Sequence, residues 1–172
     1  MKYFIKELFF FGINSSDKSR RENADRLSKS SYEKYHANLS RVLPNVPKRY
    51  RAFFENNAQL GDSTVHKITF GSIPESMKCQ YKRKNYVEIY VTHAQNGKLY
   101  VLKYTNIRKC IFDHPSKETI YFEKGKPLLD DWYTDELCMT KDKWFTHEII
   151  FKSGATLFLE FEKFSYKTKK NN

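Results

Sequence analysis

The stretch NYVEIYVTHAQNGKLYVLKYTNI, Asn85–Ile107, decides the fold class of this chain. Apolar and polar residues alternate on both sides of Asn96-Gly97, which is the period of a strand that buries one face. Asn-Gly favours the type I′ turn of a β-hairpin, because both central residues of that turn need positive φ. The stretch therefore predicts two antiparallel strands joined by a tight turn.

A two-residue turn at this place also predicts which residues face each other across the hairpin. Val91 would lie opposite Leu102 and Ile89 opposite Tyr104, on one apolar face. The other face would carry Tyr86, Tyr90, Val101 and Lys103.

Further short runs of β-branched and aromatic residues flank this hairpin, including TVHKITF, WFTHEIIF and TLFLEFEKF. The linkers between them are too short for parallel crossovers, so they predict an antiparallel sheet. A second two-residue turn at Ser153-Gly154 would join two of these runs. It predicts a common core face for Ile150, Leu157, Leu159 and Phe161.

Helical patterns occur in the first third of the chain. Asp17 can cap a helix whose apolar positions recur three and four residues apart, at Ala24, Leu27, Ser31, Tyr35 and Leu39. Pro44 and Pro47 end this helix and start a second, shorter one. That second helix would turn Tyr50, Phe53 and Phe54 inward.

Together these patterns predict an α+β fold in which two N-terminal helices precede a curled antiparallel sheet of about six or seven strands. The 172 residues fit one domain. We predict a mainly helical part at 1–60, the sheet at 61–166 and a frayed basic tail at 167–172.

The formal net charge of +11 is unevenly distributed. Ile111–Glu148 contains nine acidic and five basic residues, a net charge of −4, which leaves +15 for the rest of the chain. The three cysteines form no C-x-x-C pair, and no apolar run approaches the ~20 residues of a membrane helix. We therefore predict a cytoplasmic protein that does not bind membranes.

An acidic, aromatic segment, DDWYTDEL, precedes the last hairpin and suggests a first candidate site. A tight turn at Lys141-Asp142, together with the Ser153-Gly154 turn, would align acidic and histidine side chains across three strands beside an aromatic pair. A solvated strand face remains the ordinary explanation of such a row. As a functional hypothesis it predicts a protein-binding surface, of a regulatory or immunity-like kind, made of Trp132, Glu136, His147, Phe151 and Glu160.

The segment CQYKRKNY suggests an alternative, in which RNA or single-stranded DNA binds a basic surface with interleaved tyrosines. Cations can follow phosphates while rings stack on bases. The ordinary explanation of such a charge run is a solvated loop. The candidate residues are Tyr81, Lys82, Arg83, Lys84, Tyr86, Tyr90 and Lys103.

Motifs of enzyme chemistry are missing from the sequence. It has no Gly-rich phosphate loop, no G-x-S-x-G and no H-E-x-x-H, and its six glycines leave little material for phosphate-binding turns. We predict no catalytic residues, no metal site and no cofactor, so a non-enzymatic interaction module is favoured and an enzyme stays open.

Four segments resemble, in order and spacing, an uncharacterised bacterial family, domain of unknown function 4085. They are MKYFIKELFF, LGDSTVHKI, WYTDEL and WFTHEIIFKSGATLFLEF, which together sample most of the chain. The resemblance supports the domain boundaries above and implies no reaction, cofactor or binding residue.

Overall fold

The computed structural model of the protein describes residues 3, 16–55, 60–76, 79–113 and 131–169. Within these residues, two helices precede a six-stranded antiparallel sheet, so the predicted α+β class is confirmed. The strands are β1 (Thr64–Ser76), β2 (Cys79–Thr92), β3 (Leu99–Asp113), β4 (Trp132–Met139), β5 (Phe145–Phe151) and β6 (Thr156–Lys169).

Both predicted helices are present. Helix α1 spans Lys18–Val42 and helix α2 spans Lys48–Glu55, with a short 3₁₀ turn at Leu43–Asn45 between them. The Ser19 backbone N–H donates to Asp17 Oδ1 at 2.9 Å, so Asp17 caps α1 as predicted. The prolines therefore separate the two helices where the sequence indicated.

The strands are ordered β1-β2-β3-β6-β5-β4, so β1 and β4 form the edges of an open sheet. The two edges meet at one corner, where Thr64 bridges to Asp131. Strand β6 continues to Lys169, which pairs with Leu99, so the first half of the predicted basic tail, residues 167–169, belongs to the sheet. Residues 170–172 lie outside the described part of the chain.

The first hairpin keeps its predicted faces but not its predicted partners. Ile89 pairs with Leu102, two residues from the predicted register. The His93 N–H donates to the Lys98 carbonyl, which makes the loop four residues long instead of two. A shift of two residues leaves every side chain on its own face, so the apolar face is confirmed and buried at Val87, Ile89, Val91, Leu102 and Tyr104.

In the last hairpin the predicted core face is wrong by one residue. Ile149, not Ile150, pairs with Leu157. The connection is a three-residue loop, residues 152–154, in which Gly154 has φ 84° and the Phe151 N–H donates to the Ala155 carbonyl. A one-residue shift reverses the faces of one strand relative to the other.

The helices cover one face of the sheet, which we call the inner face and which contains Leu159. Phe54 of α2 packs against His147 and Phe164, with ring centroids 5.7 and 4.7 Å away. Helix α1 lies beside edge strand β4, where the Tyr35 hydroxyl accepts the Leu137 N–H at 3.0 Å. On the opposite side, the outer face, the described side chains of Tyr86, Tyr90 and Lys103 are half-buried and that of Lys67 is exposed.

Candidate nucleic-acid interface

The prediction that Glu136, His147 and Glu160 form a row across three strands is wrong, because these residues do not pair with one another. His147 pairs with Leu137 on β4 and Leu159 on β6. In the β4–β5 loop the Thr140 N–H donates to the Trp144 carbonyl, so the turn is longer than the assumed Lys141-Asp142 pair. Each of the two loops shifts its register by one residue, which leaves His147 on the inner face without either glutamate.

The five residues of the predicted protein-binding surface do not form an exposed surface. Trp132 and Phe151 do pair, as predicted, because a bulge between Trp132 and Thr134 restores their register. Glu136 accepts the Tyr3 N–H at 2.7 Å, whereas Glu160 is bound by Arg108. The exposed fractions of all five lie between 0 and 8%.

His147 instead belongs to a buried polar network that the sequence did not predict. Its Nε2 lies 2.9 Å from Asp135 Oδ2, and its Nδ1 lies 2.8 Å from the Tyr104 hydroxyl. The Trp132 indole donates to Asp135 Oδ1 at 2.9 Å. Burial, and secondly the charge of Asp135, raise the pKa of Tyr104, so its hydroxyl stays protonated and can donate to the His147 ring. One sequence signal could have revealed this network. Asp135 lies two residues before the apolar Leu137, so its carboxylate belongs to the same inner face of the strand.

Four of the seven residues predicted for the alternative site lie on one face of the sheet. Lys84, Tyr86 and Tyr90 alternate along the outer face of β2, and Lys103 joins them from β3, where it pairs with Glu88. The Lys103 ammonium lies 4.4 Å from the Tyr86 ring centroid. The side chains of Tyr81, Lys82 and Arg83 lie outside the described part of the structure, although their backbone belongs to β2.

Two more lysines, which the sequence analysis missed, lie on the same face. Lys67 of β1 pairs with Tyr90 and places its ammonium 5.7 Å from that ring centroid. Lys167 of β6 pairs with Val101. Neither could be found from local alternation, because a bulge between Val65 and Lys67 and the β3–β6 pairing decide both positions.

Glu88 lies between the two tyrosines. One of its carboxylate oxygens accepts from Lys103 Nζ at 2.9 Å and the other from the Tyr90 hydroxyl at 3.1 Å. The hydrogen bond from Lys103 lowers the pKa of Glu88, and the bond to Glu88 raises the pKa of Tyr90. One ionised carboxylate therefore binds both Lys103 and Tyr90.

Tyr86 owes its position to a glycine on the neighbouring strand. Gly71 pairs with Tyr86, and a Cβ at position 71 would lie 2.5 Å from atoms of the tyrosine ring. The end of the ring therefore packs directly against Gly71, while Lys103 lies over the ring.

An open concavity of about 540 Å³ adjoins Tyr90 on this face. It is lined by His66, Lys67, Tyr90, Thr92 and Leu99. His66 Nε2 is bonded to the Thr92 hydroxyl at 2.7 Å. The concavity thus combines an aromatic ring, a leucine and a lysine, which suits a flat, anionic ligand.

Within the described ranges, no three His, Cys, Asp or Glu side chains converge to hold a metal ion. None of the described helices is long and apolar enough to cross a membrane.

Comparison with known protein families and with curated proteins found no family model and no sequence that matches this chain. The resemblance to the uncharacterised bacterial family stays a prediction.

Proposed function

We propose that this protein is a non-enzymatic, cytoplasmic binder of single-stranded RNA or DNA, which it holds on the outer face of β1, β2, β3 and β6. The observation that carries the proposal is the pairing of cations with tyrosine rings on the face of the sheet opposite the helices. Lys103 lies over Tyr86 and Lys67 over Tyr90. The sequence favoured a protein-binding row, but the burial of its residues weighs against that surface.

The arrangement supplies the two interactions that bind single strands with little sequence preference. Lysines follow the phosphates, and each base can stack on a ring, which contributes about 1–3 kcal/mol. Tyr86 and Tyr90 are four residues apart on β2, or about 13 Å at roughly 3.3 Å per residue. Two different bases of one strand can therefore stack at the same time.

Charge favours the same ligand class. The chain carries +11, and Lys67 and Lys167 are exposed on this face. Positive surface charge speeds the encounter with a polyanion, and binding releases its counterions. The cytoplasmic location is proposed on the same grounds, together with the finding that neither Cys110 nor Cys138 forms a disulfide.

The test is fluorescence anisotropy with labelled 12-nucleotide single-stranded RNA and DNA over a salt series. Wild type should bind at low salt, and the logarithm of its binding constant should fall linearly with the logarithm of the salt concentration. Replacing Lys67 and Lys103 with Gln should reduce affinity about tenfold and reduce the salt slope by about 1.4, since each phosphate contact on a single strand contributes about 0.7.

The matched control removes the same charge from helix α1, at the exposed residues Lys29 and Lys34. This double Gln variant should bind nearly as wild type does. Absence of binding at low salt, or an equal loss in both double variants, would contradict the proposed interface.

A further inference from the structure

A carboxylate at the centre of a polyanion-binding face is an unexpected feature. Glu88 lies between Tyr86 and Tyr90, and its side chain is 19% exposed. A negative charge there opposes phosphate binding, so non-specific affinity would be higher without it. Its place suggests that it contacts a part of the ligand other than phosphate.

Glu88 has hydrogen-bonding capacity to spare. An ionised carboxylate accepts about four hydrogen bonds, and two of the bonds to Glu88 are identified, from Lys103 Nζ and from the Tyr90 hydroxyl. Both donors come from groups beside the carboxylate on the sheet face. Acceptor positions directed away from the sheet can therefore receive donors from a ligand.

The position of Glu88 relative to Tyr90 identifies which part of a ligand it would meet. The Tyr90 hydroxyl donates to Glu88, and the same side chain lines the concavity together with Lys67. A base stacked on Tyr90 would have its hydrogen-bonding edge near Glu88 if its sugar and phosphate lay towards Lys67. Carboxylates accept from the amino group of cytosine in this way.

We propose that Glu88 is a specificity-determining residue, which selects bases with an exocyclic amino group, cytosine above uracil, at the position that stacks on Tyr90. This inference rests on the proposed function. Cytosine presents its N4 amino group to the carboxylate, whereas uracil presents O4, an acceptor opposite an acceptor.

The test compares 12-nucleotide oligocytidine with oligouridine RNA at pH 7.5, by anisotropy, with three forms of the full chain. Wild type should bind oligocytidine about fivefold more tightly. Glu88→Gln should abolish this preference, chiefly by tightening oligouridine binding, because the amide can donate to O4 and the repelling charge is gone. Gln is isosteric with Glu. Its one oxygen can still accept from Lys103, and its amino group takes the place of the oxygen that accepts from Tyr90, whose hydroxyl can accept instead.

Glu33→Gln is the matched control, since it removes one negative charge from an exposed position of α1. It should keep the wild-type ratio of affinities. The role of Glu88 would be overturned if wild type bound both RNAs equally, or if the preference survived Glu88→Gln. The proposed function would still stand in that case if binding depended on Lys67 and Lys103. Failure to bind either RNA at low salt would overturn both.

Discussion

His147 Nε2 lies 2.9 Å from Asp135 Oδ2, both side chains are buried, and the Phe54 ring packs against His147. The same carboxylate accepts from the Trp132 indole, and the Tyr104 hydroxyl is bonded to His147 Nδ1. Three strands and helix α2 meet at this network. Its burial, with His147 0% and Asp135 6% exposed, indicates a structural function.

Asp135→Ala should lower the free energy of unfolding by about 3 kcal/mol, because it leaves the buried donors of Trp132 and His147 without an acceptor. Urea denaturation followed by tryptophan fluorescence would measure the loss. Asp142→Ala, at a largely exposed side chain, is the control and should change stability by less than about 0.5 kcal/mol. A loss below about 1 kcal/mol at Asp135 would show that the network contributes little.

Tyr90→Ala should weaken binding of single-stranded nucleic acid about 10- to 100-fold, which corresponds to the loss of one stacked base at about 1–3 kcal/mol. The salt slope should stay unchanged, since no cation is removed. Tyr32→Ala on α1, where the ring is 54% exposed, is the control and should bind as wild type does. Equal affinity of both variants would argue against stacking on Tyr90.

Gly71→Ala should weaken binding severalfold with little loss of stability. The added methyl group would displace the flexible end of Tyr86 instead of the backbone, so the ring would leave its place beside Lys103. The same anisotropy titration measures the effect. In a Tyr86→Ala background the substitution should have no further effect, and a full additional loss there would contradict the explanation.

The stability of the protein should decline as the pH falls below about 6.5, and His93 should account for part of this decline. Burial lowers the pKa of His93 from its usual 6.5. Its Nδ1 accepts the Gln95 N–H at 3.1 Å in the β2–β3 loop. The unfolded chain takes up a proton near pH 6.5 while the folded protein resists it, so stability is lost between 6.5 and the lower folded pKa.

Melting temperatures at pH 7.5, 6.5 and 5.5 would check this prediction. His93→Asn should flatten the decline, because an amide oxygen can replace Nδ1 as an acceptor and does not titrate. His66→Asn, at an exposed histidine on the neighbouring strand, should keep the wild-type decline. If the melting temperature of His93→Asn fell with pH as steeply as that of wild type, the decline could not be assigned to His93.

Part of the candidate interface could be predicted from the sequence. Lys84, Tyr86, Tyr90 and Lys103 belong to two strands of one hairpin, and alternation with period two places them on one face even when the register moves by two residues. Lys67 and Lys167 come from strands whose positions depend on a bulge and on a pairing between distant segments. Local patterns do not determine such positions.

The failed row shows the limit of the same reasoning. Glu136, His147 and Glu160 were aligned by two assumed turns, and each real loop differs from its assumed turn by one residue in register. An error of one residue in register places a side chain on the opposite face of the sheet. His147, predicted to lie on a surface, is therefore a core residue.

By itself, the sequence determined the class of the fold, its two helices, its antiparallel strands and the apolar face of the first hairpin, because these follow from residue periodicity, prolines and short linkers. Only the tertiary structure decided which face the helices cover, that His147 pairs with Asp135, and that Lys67 lies over Tyr90. These contacts join residues far apart in the chain, and their geometry depends on loop conformations and bulges whose one-residue differences local propensity does not specify.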